Sequence, residues 1–198
     1  MLMNWLESFD RQIVLFVNGW HSPFLDEVMW LISGKFTFLP LYFFLIYLLK
    51  KTYSWKQLGI IVAGLLVVIL ITDQTSVHLF KNVFERYRPS HNENLKDLLH
   101  FYEIKPGDLY TGGKYGFVSS HAANFFGLLS FIYPFFKKEK KVVFSVLFLL
   151  GILVCVSRIY LGVHYFSDVF VGAILGLLIG FSIRNMVKII LVKNANLY

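Results

Sequence analysis

From Ser157 to Asp168 the chain reads Ser-Arg-Ile-Tyr-Leu-Gly-Val-His-Tyr-Phe-Ser-Asp, placing an arginine, a histidine and an aspartate between two long apolar runs. If the second run is helical from its first turn, the spacing of His164 and Asp168 puts both side chains on one face. A carboxylate beside an imidazole fixes its tautomer and raises its basicity. Arg158 adds a planar fork of donors suited to a phosphate or carboxylate. These residue types describe an anion site with a built-in nucleophile or base. They also fit a membrane-edge salt bridge with a snorkelling arginine, so the rest of the chain must decide.

The elements that position this group are membrane helices. Of 198 residues, 57% are apolar and 18% aromatic, far above soluble usage, which makes the chain an all-α integral membrane bundle in one domain. The net charge of +7 does not point to nucleic acid, because the basic residues lie in short clusters between apolar runs instead of on one soluble face. Cys155, inside an apolar run, reads as packing, and a single cysteine excludes a disulfide framework. Residues 1–20 lack a basic leader and a small-residue cleavage site, so no cleaved signal peptide is expected.

Five crossings are predicted, at 24–49, 58–80, 120–136, 142–156 and 165–191. Ser33-Gly34-Lys35 interrupts the first, and Asp73 lies within the second on the same helix face as Lys81. Residues 1–23 mix Leu6, Phe9, Ile13, Phe16 and Val17 with Glu7, Asp10, Arg11 and Gln12 at roughly helical spacing, which predicts an amphipathic helix lying on the membrane. Residues 81–118 are polar and bounded by prolines, an extramembrane loop long enough to cover a site. Its histidines, His91 and His100, match no metal-ligand spacing, and no metal is expected. Gly172, Gly176 and Gly180 recur every fourth residue and predict close approach of another helix, more readily within the bundle than in a dimer.

Each crossing reverses the chain, so the exit of the second, the entry of the third, the exit of the fourth and the entry of the fifth share one side. There lie Lys81, Arg88, Ser119, Ser120, His121, Arg158, His164 and Asp168. Lysine-rich loops, including Lys137-Lys138-Glu139-Lys140-Lys141, take the other side, which is cytoplasmic by the positive-inside rule and turns the polar cluster outward. Snorkelling would scatter such groups over both faces. The chemistry these residues allow is phosphoryl transfer. Lys81, Arg88 and Arg158 can neutralise a phosphate, Ser119 can cap the third segment and leave the amides of Ser120 and its neighbours facing the anion, His164 oriented by Asp168 can attack phosphorus, and His121 can protonate the departing oxygen. Neither metal nor cofactor is required.

The pattern resembles the type 2 phosphatidic acid phosphatase superfamily. Lys81 to Pro89 matches lysine, six residues, Arg-Pro; Val118-Ser119-Ser120-His121 is similar to Pro-Ser-Gly-His; and the opening stretch matches Ser-Arg, five residues, His, three residues, Asp. The resemblance implies phosphate binding by Lys81, Arg88, Ser119, Ser120 and Arg158, general-acid action by His121 and nucleophilic attack by His164 paired with Asp168. Val118 stands where the family has proline and Ser120 where it has glycine, while Ser119 and His121 keep the pattern. Family members often have six crossings, one more than is predicted here. The implied activity is metal-independent hydrolysis of a membrane lipid phosphate through a phosphohistidine, in a bacterial inner membrane with the site facing the periplasm. By analogy alone undecaprenyl diphosphate leads, with lipid A, phosphatidylglycerol phosphate and phosphatidate as alternatives. The competing class is a protein that binds or transports anionic lipids without hydrolysis. Oligomeric state is open.

Overall fold

Residues 2–34, 36–137 and 140–195 are described in the computed structural model, and nearly all of the regular structure is helical. Helix α1, Leu2–Asn18, leads into α2, Pro23–Ser33, which opens with a proline in its first turn and with Ser22 accepting a bond from the Leu25 amide. Helix α3, Leu39–Lys50, is separate from α2, so the predicted first crossing consists of two short helices. Lys35 of the expected interruption lies outside the described residues, as do Lys138 and Glu139 of the lysine loop. A reciprocal Ser54–Gln57 capping box starts α4, Trp55–Gln74. The rod continues as a π-helical turn, Thr75–Lys81, and then α5, Asn82–Phe84.

The segment that follows carries more structure than an open loop. It contains two 3₁₀ turns, Pro89–His91 and Lys96–Leu98, and a small antiparallel hairpin of β1, Glu103–Lys105, with β2, Asp108–Leu109. The bundle is completed by α6, Ser120–Ile132; α7, Lys140–Tyr160; and α8, Phe166–Ala195. Among the described residues three helical stretches are long and apolar enough to cross a membrane: Trp55–Phe84, Lys140–Tyr160 and Phe166–Lys193. The predicted third crossing is shorter than expected, because α6 has 13 residues and passes into a 3₁₀ turn at Tyr133–Phe135, with Pro134 inside it. Helix α6 is the axis of the core, buried from Phe125 to Ile132 among side chains of α3, α4, α7 and α8.

The α8 glycines explain how tightly that axis is held. A Cβ at Gly172 would lie 2.6 Å from the Ser119 carbonyl oxygen, and those at Gly176 and Gly180 would collide with the carbonyls of Ala123 and Gly127. The glycine row therefore serves packing inside the bundle. Backbone cannot yield as a flexible side chain can, so Gly176→Val is expected to lower stability by about 1–3 kcal/mol, seen as a lower unfolding midpoint in detergent. The same contact fixes Ser119 and Asp168 relative to one another, since it brings the start of α6 against the start of α8.

Candidate active site

Four chain ends meet at this corner. The π-helical turn closes the α4 rod and carries Lys81, whose Nζ donates to Ser120 Oγ at the first residue of α6 (2.8 Å). Such insertions shift the register of a helix, which here brings the Lys81 ammonium onto Ser120. Asp73, expected on the same face as Lys81, lines a cavity of about 550 Å³ together with Ser120, His121 and Asn124. The Ser119 amide donates to the Asp168 carbonyl (3.0 Å), tying α6 to α8.

Helix α7 ends in a Schellman turn: Val163 N donates to Arg158 O (3.2 Å), Gly162 N donates to Ile159 O (2.9 Å), and Gly162 adopts φ +67°. That left-handed residue turns the chain back so that His164, two residues before α8, points inward and is 1% exposed. His164 Nδ1 lies 3.2 Å from Asp168 Oδ2, and Nε2 lies 3.2 Å from Arg88 Nη1. An ionised carboxylate only accepts and a guanidinium only donates, so the neutral ring holds its proton on Nδ1 and its lone pair on Nε2. Arg88 is itself buried and anchored by bonds from Nε to Tyr115 O and from Nη1 to Val163 O, both 3.1 Å. Burial and the neighbouring Arg158 draw its pKa down to about 10, which leaves it charged at neutral pH. Burial, then the charges of Arg88, Arg158, Lys81 and His121, hold the His164 imidazole well below its ordinary value.

Arg158 donates Nη1 to Ser33 Oγ and Nη2 to Tyr110 OH (2.9 Å). Its Nε, and the Oγ of Ser119, are buried without a hydrogen-bond partner among the described residues. Ser119 occupies the N-cap position of α6, but its side chain makes no capping bond, which corrects the expected cap. Unsatisfied buried donors are costly unless something visits them, and a phosphate oxygen would satisfy both. His121, in the first turn of α6, opens onto the cavity. All eight residues named from the sequence thus gather at one end of the bundle.

Sequence reasoning missed two ionic residues here. Arg86 sits inside the spacer of the first motif and bridges Asp168 Oδ1 (2.9 Å) and Asp10 Oδ2 (2.7 Å). Burial works against its charge, but Asp168 and Asp10 outweigh that and raise its pKa. Asp10, read as part of the polar surface of α1, is 2% exposed. The available signal was a second arginine beside Arg88 at a membrane edge. Of the two residues that hold Arg158, Ser33 was marked in the sequence only as part of an interrupted crossing, and Tyr110 carried no signal of its own.

Membrane helices that converge on a buried histidine–aspartate pair, ringed by Lys81, Arg86, Arg88 and Arg158, define an integral membrane phosphatase acting on lipid phosphates. Residues 57–190 match the PAP2 superfamily, and the chain belongs to that family. It is 36% identical to a lipid A 4'-phosphatase of Bacteroides thetaiotaomicron over 176 residues, covering 88% of this chain and 75% of that protein. A lipid A 4'-phosphatase of Porphyromonas gingivalis is 34% identical over 180 residues, covering 90% and 72%. Among solved structures, a transmembrane PAP2 type phosphatidylglycerolphosphate phosphatase from Bacillus subtilis superposes with a TM-score of 0.68 at 27% identity, covering 93% of this chain and 87% of that one.

Proposed function

We propose that this enzyme hydrolyses a lipid phosphomonoester, a lipid A 4'-phosphate being the first candidate, through a phosphohistidine and without a metal ion. The observation that carries the reading is the orientation of His164: Nδ1 is held by Asp168, and the Nε2 lone pair faces the cation that would grip the phosphate. In the first step Nε2 attacks phosphorus and the bond to the lipid oxygen breaks, that oxygen taking a proton from His121. In the second, His121 accepts a proton from water, which attacks phosphorus and frees His164 and orthophosphate. Lys81, Arg88 and Arg158, with Ser119 and Ser120, balance the charge on the three outer oxygens in both steps.

The substrate assignment is supported by the two relatives named for lipid A and by the cavity beside His121. Its wall is largely apolar, with Ile69, Leu70 and Leu128, while Asp73 and Asn124 are close to the candidate acid. The Asp73 carboxylate there suits a leaving group with hydroxyl and amide donors, such as a sugar, better than a bare polyprenyl chain, while Asn124 Oδ1 already accepts from the Thr72 hydroxyl. That moves the weight from undecaprenyl diphosphate to phosphomonoesters. The lysines at the far end of the bundle support a cytoplasmic assignment for that end, hence a site opening to the periplasm.

The test is phosphate release by purified enzyme in chelator from lipid A, phosphatidylglycerol phosphate, phosphatidate and undecaprenyl diphosphate. Fastest release from lipid A is expected. Release only after a divalent metal is restored would sink the metal-independent mechanism, and preference for undecaprenyl diphosphate would overturn the substrate assignment.

A further inference from the structure

Phosphate binding and attack leave unexplained an acid buried on α1 and an arginine between Lys81 and Arg88. Asp10 is inaccessible although its neighbours Glu7, Ser8 and Phe9 are exposed. Its Oδ1 accepts from the Ser167 amide (2.9 Å), and its Oδ2 accepts from Arg86 Nη2 (2.7 Å) and from the Ser167 hydroxyl. Arg86 turns Nη1 to Asp168 Oδ1 (2.9 Å) and to Ser167 Oγ (2.6 Å), and its guanidinium covers the Tyr165 ring at 4.3 Å. The other oxygen of Asp168 already accepts from the Tyr165 amide (3.0 Å) and faces His164 Nδ1.

The torsion that turns a carboxylate plane is broad, so contacts at one oxygen leave the plane loosely set. A charge-assisted bond at the second oxygen fixes it. Arg86 can supply that bond only while something holds Arg86, and a buried ion pair fails when one member is removed, leaving the other uncompensated. Asp10 is the group that holds it, and the Ser167 contacts seat Asp10 on the first turn of α8. We propose that Asp10 and Arg86 are positioning residues: α1 delivers Asp10 to fix Arg86, and Arg86 fixes the Asp168 carboxylate that aims His164. Helix α1 is then part of the catalytic assembly as well as a membrane-surface element. This inference rests on His164 and Asp168 being the reacting pair.

Full-length R86Q, R86K, D10N and the D10N/R86Q double variant, with H164A as reference, test it in mixed micelles of the lipid that the wild-type enzyme turns over. R86Q is expected to lower kcat by about tenfold to a hundredfold, in line with other residues that orient a reacting group from behind, with KM changed less than about twofold. R86K should recover part of that loss, D10N should lose less than R86Q, and the double variant should be no slower than R86Q because both act along one path. Wild-type kcat in R86Q, a loss carried by KM, or losses that multiply in the double variant would overturn the proposal. If R86Q does not fold, R86K and D10N decide by the same split between kcat and KM, each keeping one arm of the bridge. Activity surviving in H164A would instead refute the assignment of the reacting pair.

Discussion

Replacing His164 by alanine is expected to lower turnover of the lipid substrate by on the order of 10⁴-fold or more, because the proposed mechanism assigns attack on phosphorus to the imidazole held between Asp168 and Arg88. The fold should survive. Asp168 keeps Arg86 and the Tyr165 amide as partners after the imidazole is gone. Orthophosphate or vanadate should still bind, since Arg88, Arg158 and Lys81 remain. The contrast with His121→Ala identifies the two roles. An aryl phosphate whose leaving group needs no proton should restore much of the first step in His121→Ala and none in His164→Ala. Equal rescue of both variants would refute the division of labour. The pH profile carries the same information. In the proposed mechanism the neutral imidazole is the attacking form, and burial with the surrounding cations holds its pKa well below 6.5. The acidic limb of kcat/KM attributable to this group should therefore lie below pH 6.5. Linkage has the matching sign: below that value the unfolded chain takes up a proton that the folded site resists, so stability contributed by this group falls as pH falls.

The residues gathered at the candidate site were legible because each is a polar type at the end of an apolar run, and reversal of the chain at every crossing leaves few places for those ends to meet. The fold class was legible from composition for the same reason. Helix length was not. Hydropathy registers α6 and α7 alike, since a helix buried in protein and one facing lipid are both apolar on all sides. Only the packing of α6 among α3, α4, α7 and α8 shows that its 13 residues lie at the centre of the core. Asp10 was misplaced because helical spacing says which residues share a face, but not which face docks. The docked face of α1 carries Asp10, Val14 and Asn18, two of them polar, while Trp5, Phe9 and Phe16 look outward. Asn18 explains the inversion: its amide donates to the carbonyls of His100 and Tyr160, both at 2.7 Å, so a polar side chain satisfies a loop carbonyl and the last carbonyl of α7. Ser119 was expected as a cap from its type and place; its hydroxyl is instead unpartnered among the described residues, a detail of rotamer that sequence does not carry.

Arg88→Gln should be the second most damaging change, lowering kcat/KM by about a hundredfold to a thousandfold, or roughly 3–4 kcal/mol of transition-state stabilisation. Arg88 acts in two ways that can be measured apart. Its Nη1 faces His164 Nε2 at 3.2 Å, which in the proposed mechanism places positive charge where the phosphate oxygens gather, so the affinity for vanadate should fall along with turnover. Arg88 is also the charge that does most, after burial itself, to keep His164 unprotonated. Removing it lets the imidazole pKa rise toward its ordinary value, so the acidic limb of kcat/KM should move to higher pH in the variant. Arg88→Lys separates charge from shape. It keeps the cation, so the limb should move less than in Arg88→Gln, but one ammonium on a flexible stem cannot reproduce the fork that reaches Tyr115 O and Val163 O while facing Nε2. Turnover in Arg88→Lys should consequently remain well below that of the unaltered enzyme although its pH profile is nearly restored. A lysine variant with full activity would mean that charge alone suffices at this position, and a glutamine variant with an unmoved acidic limb would mean that Arg88 does not set the protonation of His164.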